Sequence, residues 1–268
     1  MANVVYENFY LSNEVEDQFD SHLDLMRFCT VDRTLEGTAG MKRLINVYAA
    51  TDGTEKLAEG EGNSKSIEVG YTQREYNIEL AQNRFVWTDE AAMKDPMLVP
   101  VGMRHAGTDM FNTVNGDVFG EFEKASLSVE ASAFNFDAFV DALAKLHLPE
   151  NSGVEVFGWV SPVAKAALRK SLKDDLKYVE AFSRQGYIGT VCGVNLYDKR
   201  NAKDNEICIG TKQAVTAFIK KGTEVEQITK NVRSAEDANV RKNTAFTRKY
   251  YVVALTDETQ AVKIVKTA

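Results

Sequence analysis

Apolar residues recur along this chain with two periods, close to 3.6 in some stretches and 2 in others, and the alternation sorts it into elements. In SNEVEDQFDSHLDLMRF (12–28) a serine in capping position precedes Val15, Phe19, Leu23 and Met26, at intervals of four, four and three. This predicts an amphipathic helix on an acidic arm. In RLINVYAATDGTEKLAEGEGNSKSIEVGYTQREYNIEL, strand-like ends flank a middle of Gly53, Gly60, Gly62 and charged residues; Ile67, Val69 and Tyr71 alternate with polar residues, as do Tyr76, Ile78 and Leu80. The pattern predicts a hairpin with a long soluble tip, and such a connection in a compact chain is often there to touch something else.

TDEAAMKDP (88–96) reads as a short capped helix stopped by Pro96. Apolar positions then recur at Met103, Gly107, Met110, Val114, Val118 and Phe122, predicting a long helix over roughly 100–124. Gly102, Gly107, Gly116 and Gly120 would each cost ~1 kcal/mol inside it relative to Ala, so the helix is expected to bend or to lie close against another backbone. ASLSVEASA (125–133) suits a linker or strand. NFDAFVDALAKL supplies an Asn135 cap and a helix with Phe136, Phe139, Val140 and Leu143 on its packed face. VEVFGWV reads as a strand, and SPVAKAALRKS as a helix with a serine cap and proline at its first position. EICIG, GTEVEQITKNV, NTAFTRKYYVVAL and QAVKIV make a strand-rich ending, broken by a charged helix or loop near 234–243.

Charge changes the picture along the chain. Residues 1–161 carry 12 Lys+Arg against 27 Asp+Glu (−15), residues 162–250 carry 18 against 10 (+8), and residues 251–268 carry two of each. The basic half suggests a nucleic-acid-binding module, but its charges stand singly along helices and strands without aromatic interleaving, as solvated faces do. A third reading is self-complementarity, the acidic part of one copy meeting the basic part of another. No apolar run approaches the ~18–20 residues of a bilayer span, and MANVVYENFY is unlike a signal peptide, so the chain is expected to fold in cytoplasm without a membrane.

Candidate chemistry is sparse. Cys29, Cys192 and Cys208 are far apart, without a CxxC pair, and His22, His105 and His147 are isolated, so neither a disulfide framework nor a metal site is expected. Ser161 precedes Pro162 as a cap, outside any GxSxG turn. Gly186, Gly189 and Gly193 in SRQGYIGTVCGVNLYD raise the question of a phosphate loop. Such a loop opens onto a helix, whereas these glycines lead into a β-branched and aromatic run; bends between strands are the expectation. No catalytic residue, cofactor site or metal site is assigned.

Taken in order, these elements resemble the major capsid proteins of tailed bacteriophages, the Hong Kong 97-type fold. RQGYIGTVCGVNLYDKRNA resembles that family's G-x-[IL]-G-x-[IL]-x-G-x-x-[VL] run at Gly186, Ile188, Gly189, Val191, Gly193 and Leu196. VEVFGWVSPVAKAALRKS resembles its strand running into a helix that begins Ser/Asn-Pro, KQAVTAFIKKGTEVEQI its return to the peripheral domain, and AVKIVKTA its closing strand.

The resemblance implies an α+β fold with an N-terminal arm (1–30), an E-loop region (31–80, hairpin 41–80), a P-domain with spine helix (81–134, helix 97–124), an A-domain (135–222), P-domain return strands (223–256) and an A-domain closing strand (257–268). It further implies a non-enzymatic subunit that assembles with itself, as hexamers and pentamers, into an icosahedral shell around double-stranded DNA held without sequence-specific binding. A separate scaffolding protein is expected because the chain begins at a Met without a long extension; a portal and decoration proteins are further expected partners. Assembly would occur in the host bacterial cytoplasm, and the product would be the virion. The E-loop would lie over a neighbouring subunit, with Asp52, Glu55, Lys56, Glu59, Glu61, Lys65 and Glu68 as contact residues and no covalent cross-link. Gly186, Gly189 and Gly193 would be A-domain bends. The alternatives are an encapsulin-type nanocompartment shell and a soluble hydrolase using Cys192 or Cys208.

Overall fold

A computed structural model describes residues 24–148, 153–171 and 187–267. The helix expected at 12–28 lies outside these residues except for its end. There Leu25–Phe28 form one 3-10 turn, capped by the Asp24 carboxylate, which accepts from the Met26 N–H at 2.9 Å.

Three sheets organise the described residues. A four-stranded sheet runs in the order β1 (Thr30–Asp32), β10 (Val215–Ile228), β11 (Lys242–Leu255), β4 (Glu79–Thr88). A six-stranded mixed sheet runs β5 (Leu127–Ala131), β12 (Ala261–Lys266), β9 (Glu206–Thr211), β6 (Val156–Val160), β8 (Val194–Asp198), β7 (Tyr187–Val191). The hairpin β2 (Lys42–Ala50) and β3 (Val69–Asn77) forms a two-stranded sheet by itself.

Local chemistry sets the helix boundaries where the sequence places them. Helix α1 (Asp89–Lys94) starts at Thr88, whose hydroxyl accepts from the Ala91 N–H at 3.2 Å, and it ends just before Pro96. Helix α2 (Leu98–Glu123) is the long helix of the apolar repeat. Its Met103, Gly107, Met110, Val114, Val118 and Phe122 are all buried. Helix α3 (Phe136–Lys145) is capped by Asn135, which accepts from the Ala138 N–H at 3.0 Å. Helix α4 (Pro162–Ser171) follows β6 directly, and the buried Ser161 hydroxyl accepts from the Ala164 N–H at 3.1 Å. A short α5 (Ala235–Asn239) lies between β10 and β11.

Packing joins the two larger sheets through α2. Its early turns place Met103 against Trp87 and Ala245 of the four-stranded sheet. Its later turns place Phe119 and Phe122 against Trp159, a fully buried indole ringed also by Phe28 and Phe157 with centroids 4.5–6.1 Å away. Fully burying side chains of this size stabilises the fold by roughly 1.5–3 kcal/mol each. The other face of the six-stranded sheet carries Val156, Val160, Ile207, Ile209, Val262 and Ile264 in one core with Phe139, Ala142, Ala164 and Leu168 of α3 and α4.

The structure corrects two expectations. On α3 the packed face is Ala138, Phe139, Ala142 and Leu143, so Phe139 and Leu143 pack as expected while Phe136 and Val140 stay 52% and 46% exposed. On α2 a Cβ at Gly116 or Gly120 would meet nothing within 4 Å, so no described backbone presses on them, whereas at Gly102 a Cβ would lie 2.3 Å from the Phe85 ring. β5 joins the six-stranded sheet through its parallel pairing with β12, and β10 pairs with β11 from Val215 to Ile228 with register shifts between Ile219 and Glu224.

Candidate functional site

The hairpin is anchored at its base and bare along its length. At the base, Tyr76 stacks on Phe218 with centroids 5.2 Å apart, Ile78 is buried, and the Ile78 N–H donates to Met41 O at 2.7 Å. Arg43 pairs with Asp32 at 3.4 Å and Arg74 with Glu258 at 3.5 Å. Lys220, from β10, donates to the carbonyls of Leu35 and Thr38 and ties down the loop that leads into β2.

Beyond this base the strands pair in register from Lys42↔Asn77 to Ala50↔Val69. With a side-chain period of two, Leu44, Tyr48, Tyr71 and Val69 share one face. Their exposures are 51%, 66%, 67% and 63%, and the Tyr48 and Tyr71 rings lie 6.0 Å apart. A two-stranded ribbon is marginal in water on its own, and exposed apolar side chains grouped on one face are a feature of interaction surfaces.

At the tip, the acids named from sequence divide into two kinds. Glu55 turns inward: its carboxylate accepts from the Ser64 hydroxyl at 2.6 Å, the Ser64 N–H at 2.8 Å and the Lys65 N–H at 3.4 Å. Those bonds, Ser64's first, hold its carboxyl below the ordinary range. Glu61 accepts from the Ala58 N–H at 3.4 Å. Asp52, Lys56, Glu59, Lys65 and Glu68 are exposed.

The glycine segment is a hairpin turn. Cys192 (φ +51°) and Gly193 (φ +83°) are the two residues between β7 and β8, and positive φ at both central positions is the geometry that matches strand twist in a two-residue connection. Gly189 has φ +114°, at a register shift in the β7–β8 ladder. The turn opens onto a strand, so it offers no helix N-terminus to a phosphate. Gly186 lies outside the described residues.

The electrostatics weigh against two of the alternatives. Many cations of the basic half are neutralised within the chain: Lys165 by Asp198, Arg233 by Asp89, Arg241 by Glu90, Lys242 by Asp237 and Arg248 by Glu226. These cations form local pairs, which lowers the charge they could offer to a phosphate backbone. The cysteines lack thiolate character. Burial pushes Cys29 and Cys208 up to about 12. Cys192 is raised by desolvation and the nearby Asp137, and its sulfur faces the Phe136 carbonyl at 3.8 Å. A nucleophilic cysteine needs the opposite shift.

Sequence reasoning missed the bare face of the hairpin: the apolar residues of both strands are visible in the sequence, but that no third strand of the described residues covers them is seen only in the structure. No helix among the described residues is long and apolar enough to cross a membrane.

No family model matches the chain. It is 24% identical over 266 residues to the major capsid protein of Staphylococcus phage phiMR11, covering 96% of this chain and 92% of that protein. Among solved structures, the subunit of the bacteriophage PhiM1 mature capsid superposes with a TM-score of 0.70 at 10% identity, over 91% of this chain and 87% of that one. A virus-like particle from Pyrococcus furiosus superposes at 0.62 with 14% identity, over 97% and 100%. Shape alone thus reaches both phage capsids and another kind of particle, while the sequence likeness points to the phage side. The chain has the Hong Kong 97-type fold and is a relative of the major capsid proteins of tailed phages.

Proposed function

We propose that the chain is the shell subunit of a tailed phage, assembling with copies of itself as hexamers and pentamers into a closed icosahedral capsid around double-stranded DNA. The observation that carries this reading is the hairpin. Its apolar face is left bare by its own subunit, on a fold shared with capsid proteins, and a second copy is the natural cover. Asp52, Lys56, Glu59, Lys65 and Glu68 would meet the neighbour around that face, with charge setting register more than affinity. The bends at Gly189 and Gly193 would belong to the A-domain. The role is structural, without catalysis, cofactor or metal. Local neutralisation of the basic half fits a shell that encloses DNA without reading its sequence.

Scaffolding, portal and decoration proteins would act as separate partners in the host bacterial cytoplasm. An encapsulin-type shell is the weaker reading, because the sequence likeness runs to a phage capsid protein. Negative-stain electron microscopy of the purified protein, beside sedimentation velocity, tests the proposal. The expected result is closed shells tens of nanometres across, or rings of five and six. A monomer at every concentration, with and without the co-expressed scaffold, would overturn it.

A further inference from the structure

Residues 51–68 join two strands by a long connection with few apolar side chains, a composition that usually leaves a loop loose. Here its two legs are fastened to each other. Next to the strands, the Thr51 N–H donates to Glu68 O at 3.0 Å, and the Glu68 N–H donates to the Thr51 hydroxyl at 3.0 Å. One step outward the legs touch: Gly53 is buried, and a Cβ there would lie 2.8 Å from both Ile67 Cγ1 and the Ile67 nitrogen. Asn63 reaches back to the Gly53 carbonyl at 3.5 Å. Furthest out, one carboxylate gathers three donors from the opposite leg, at 2.6, 2.8 and 3.4 Å.

We propose that Glu55 is a clamp within its own subunit: it closes the hairpin tip and presets its shape for docking, and is not an acid offered to the next copy. A charged acceptor makes bonds roughly twice as strong as a neutral one, and this carboxylate receives two backbone N–H groups and a hydroxyl that would otherwise be held by water. Holding a loop in its bound shape removes ordering cost from the docking step. Glu55 therefore acts as a positioning residue. Its neighbours differ from it: Glu61 has one long contact to its own turn, and Glu59 is exposed at the far end of the loop. The docking half of the proposal rests on the capsid reading; the clamp half stands without it.

The chain supplies its own reporter, since trypsin cleaves after Lys56 and Lys65, on either side of the outer loop. Unassembled full-length protein would be digested briefly, with amide exchange at Ser64 and Lys65 followed in parallel. Glu55→Ala and Ser64→Ala are expected to raise cleavage at these bonds on the order of tenfold, as loss of a charged hydrogen-bond pair implies. Glu59→Ala should leave cleavage unchanged. Glu55→Gln keeps an acceptor without the charge and should fall between wild type and Glu55→Ala. Equal cleavage and exchange in Glu55→Ala and wild type would overturn the clamp. In assembly followed by light scattering, yield should track tip protection, so that Glu55→Gln assembles better than Glu55→Ala. If the two variants lose assembly equally while Glu55→Gln keeps its protection, the charge acts on the neighbour and the proposal fails. If no variant assembles, wild type included, the capsid reading is at fault and the cleavage pattern still decides the clamp.

Discussion

Asp89 sits at the first turn of a six-residue helix, yet it holds together three separate pieces of chain. Its carboxylate accepts from the Asn243 amide at 2.7 Å and from the Arg233 guanidinium at 3.1 Å, and the Arg233 and Asp89 side chains are only 8% and 13% exposed. The Asn243 bond first, then Arg233, holds the Asp89 carboxyl below the usual range. A carboxyl whose pKa is lowered by folding stabilises the fold above its unfolded value of about 3.9, and that contribution is lost as pH falls through the folded value. Asp89→Asn should cost about 2–3 kcal/mol at neutral pH, since it sets amide donors against donors. The difference from wild type should shrink below about pH 4. Urea midpoints measured from pH 7 down to pH 3 check this; a constant difference across the range would mean that the carboxylate charge is not what matters.

At the scale of elements, α2 shows how one residue type serves different ends in different surroundings. Gly116 and Gly120 have open space where a Cβ would go, so Ala at either should stabilise the subunit by up to ~1 kcal/mol through helix propensity. Gly210 on β9 is the contrasting case: a Cβ there would lie 2.7 Å from the ring of buried Phe122. Gly210→Ala should therefore cost roughly 1–3 kcal/mol by overpacking. Thermal unfolding of the three variants separates the cases, and a stabilising Gly210→Ala would show that the Phe122 ring moves aside without strain. The capped starts of α1, α3 and α4 were legible from sequence because a cap needs only a side chain and an N–H two or three residues on. The packed face of α3 was not: Phe136 and Val140 satisfy the helical spacing as well as Ala138 and Ala142 do, and only the distance to the sheet chooses between them.

The described residues couple two sheets through one helix and leave a third, the hairpin, with exposed apolar side chains. Tyr48 and Val69 contribute little to the subunit's own core, being 66% and 63% exposed. Tyr48→Asp and Val69→Asp should therefore leave the unfolding midpoint within about 0.5 kcal/mol of wild type, as for other surface changes. The same variants should block assembly, because each would bury an unpaired carboxylate under the covering copy. Circular dichroism melts beside electron microscopy check both halves. A variant that assembles normally would show that this face stays in solvent.

By itself the sequence determined the elements and much of their order. Periods of 3.6 and 2, cap residues and prolines act over a few residues, so the long helix, the strand leading into α4, the projecting hairpin and the strand-rich end were all legible, and their order carried the resemblance to a capsid fold. Only the tertiary structure decided what depends on distances between remote segments. It assigned β5 to the six-stranded sheet and paired β10 with β11 on both sides of an irregular stretch between Ile219 and Glu224, since strand pairing is a contact between residues far apart in the chain. It turned Glu55 inward while leaving Glu59 exposed, although both are glutamates in the same acidic loop. It also showed the tyrosine face of the hairpin to be bare, because burial is a property of what lies nearby in space, and no pattern along one strand records what is missing from above it.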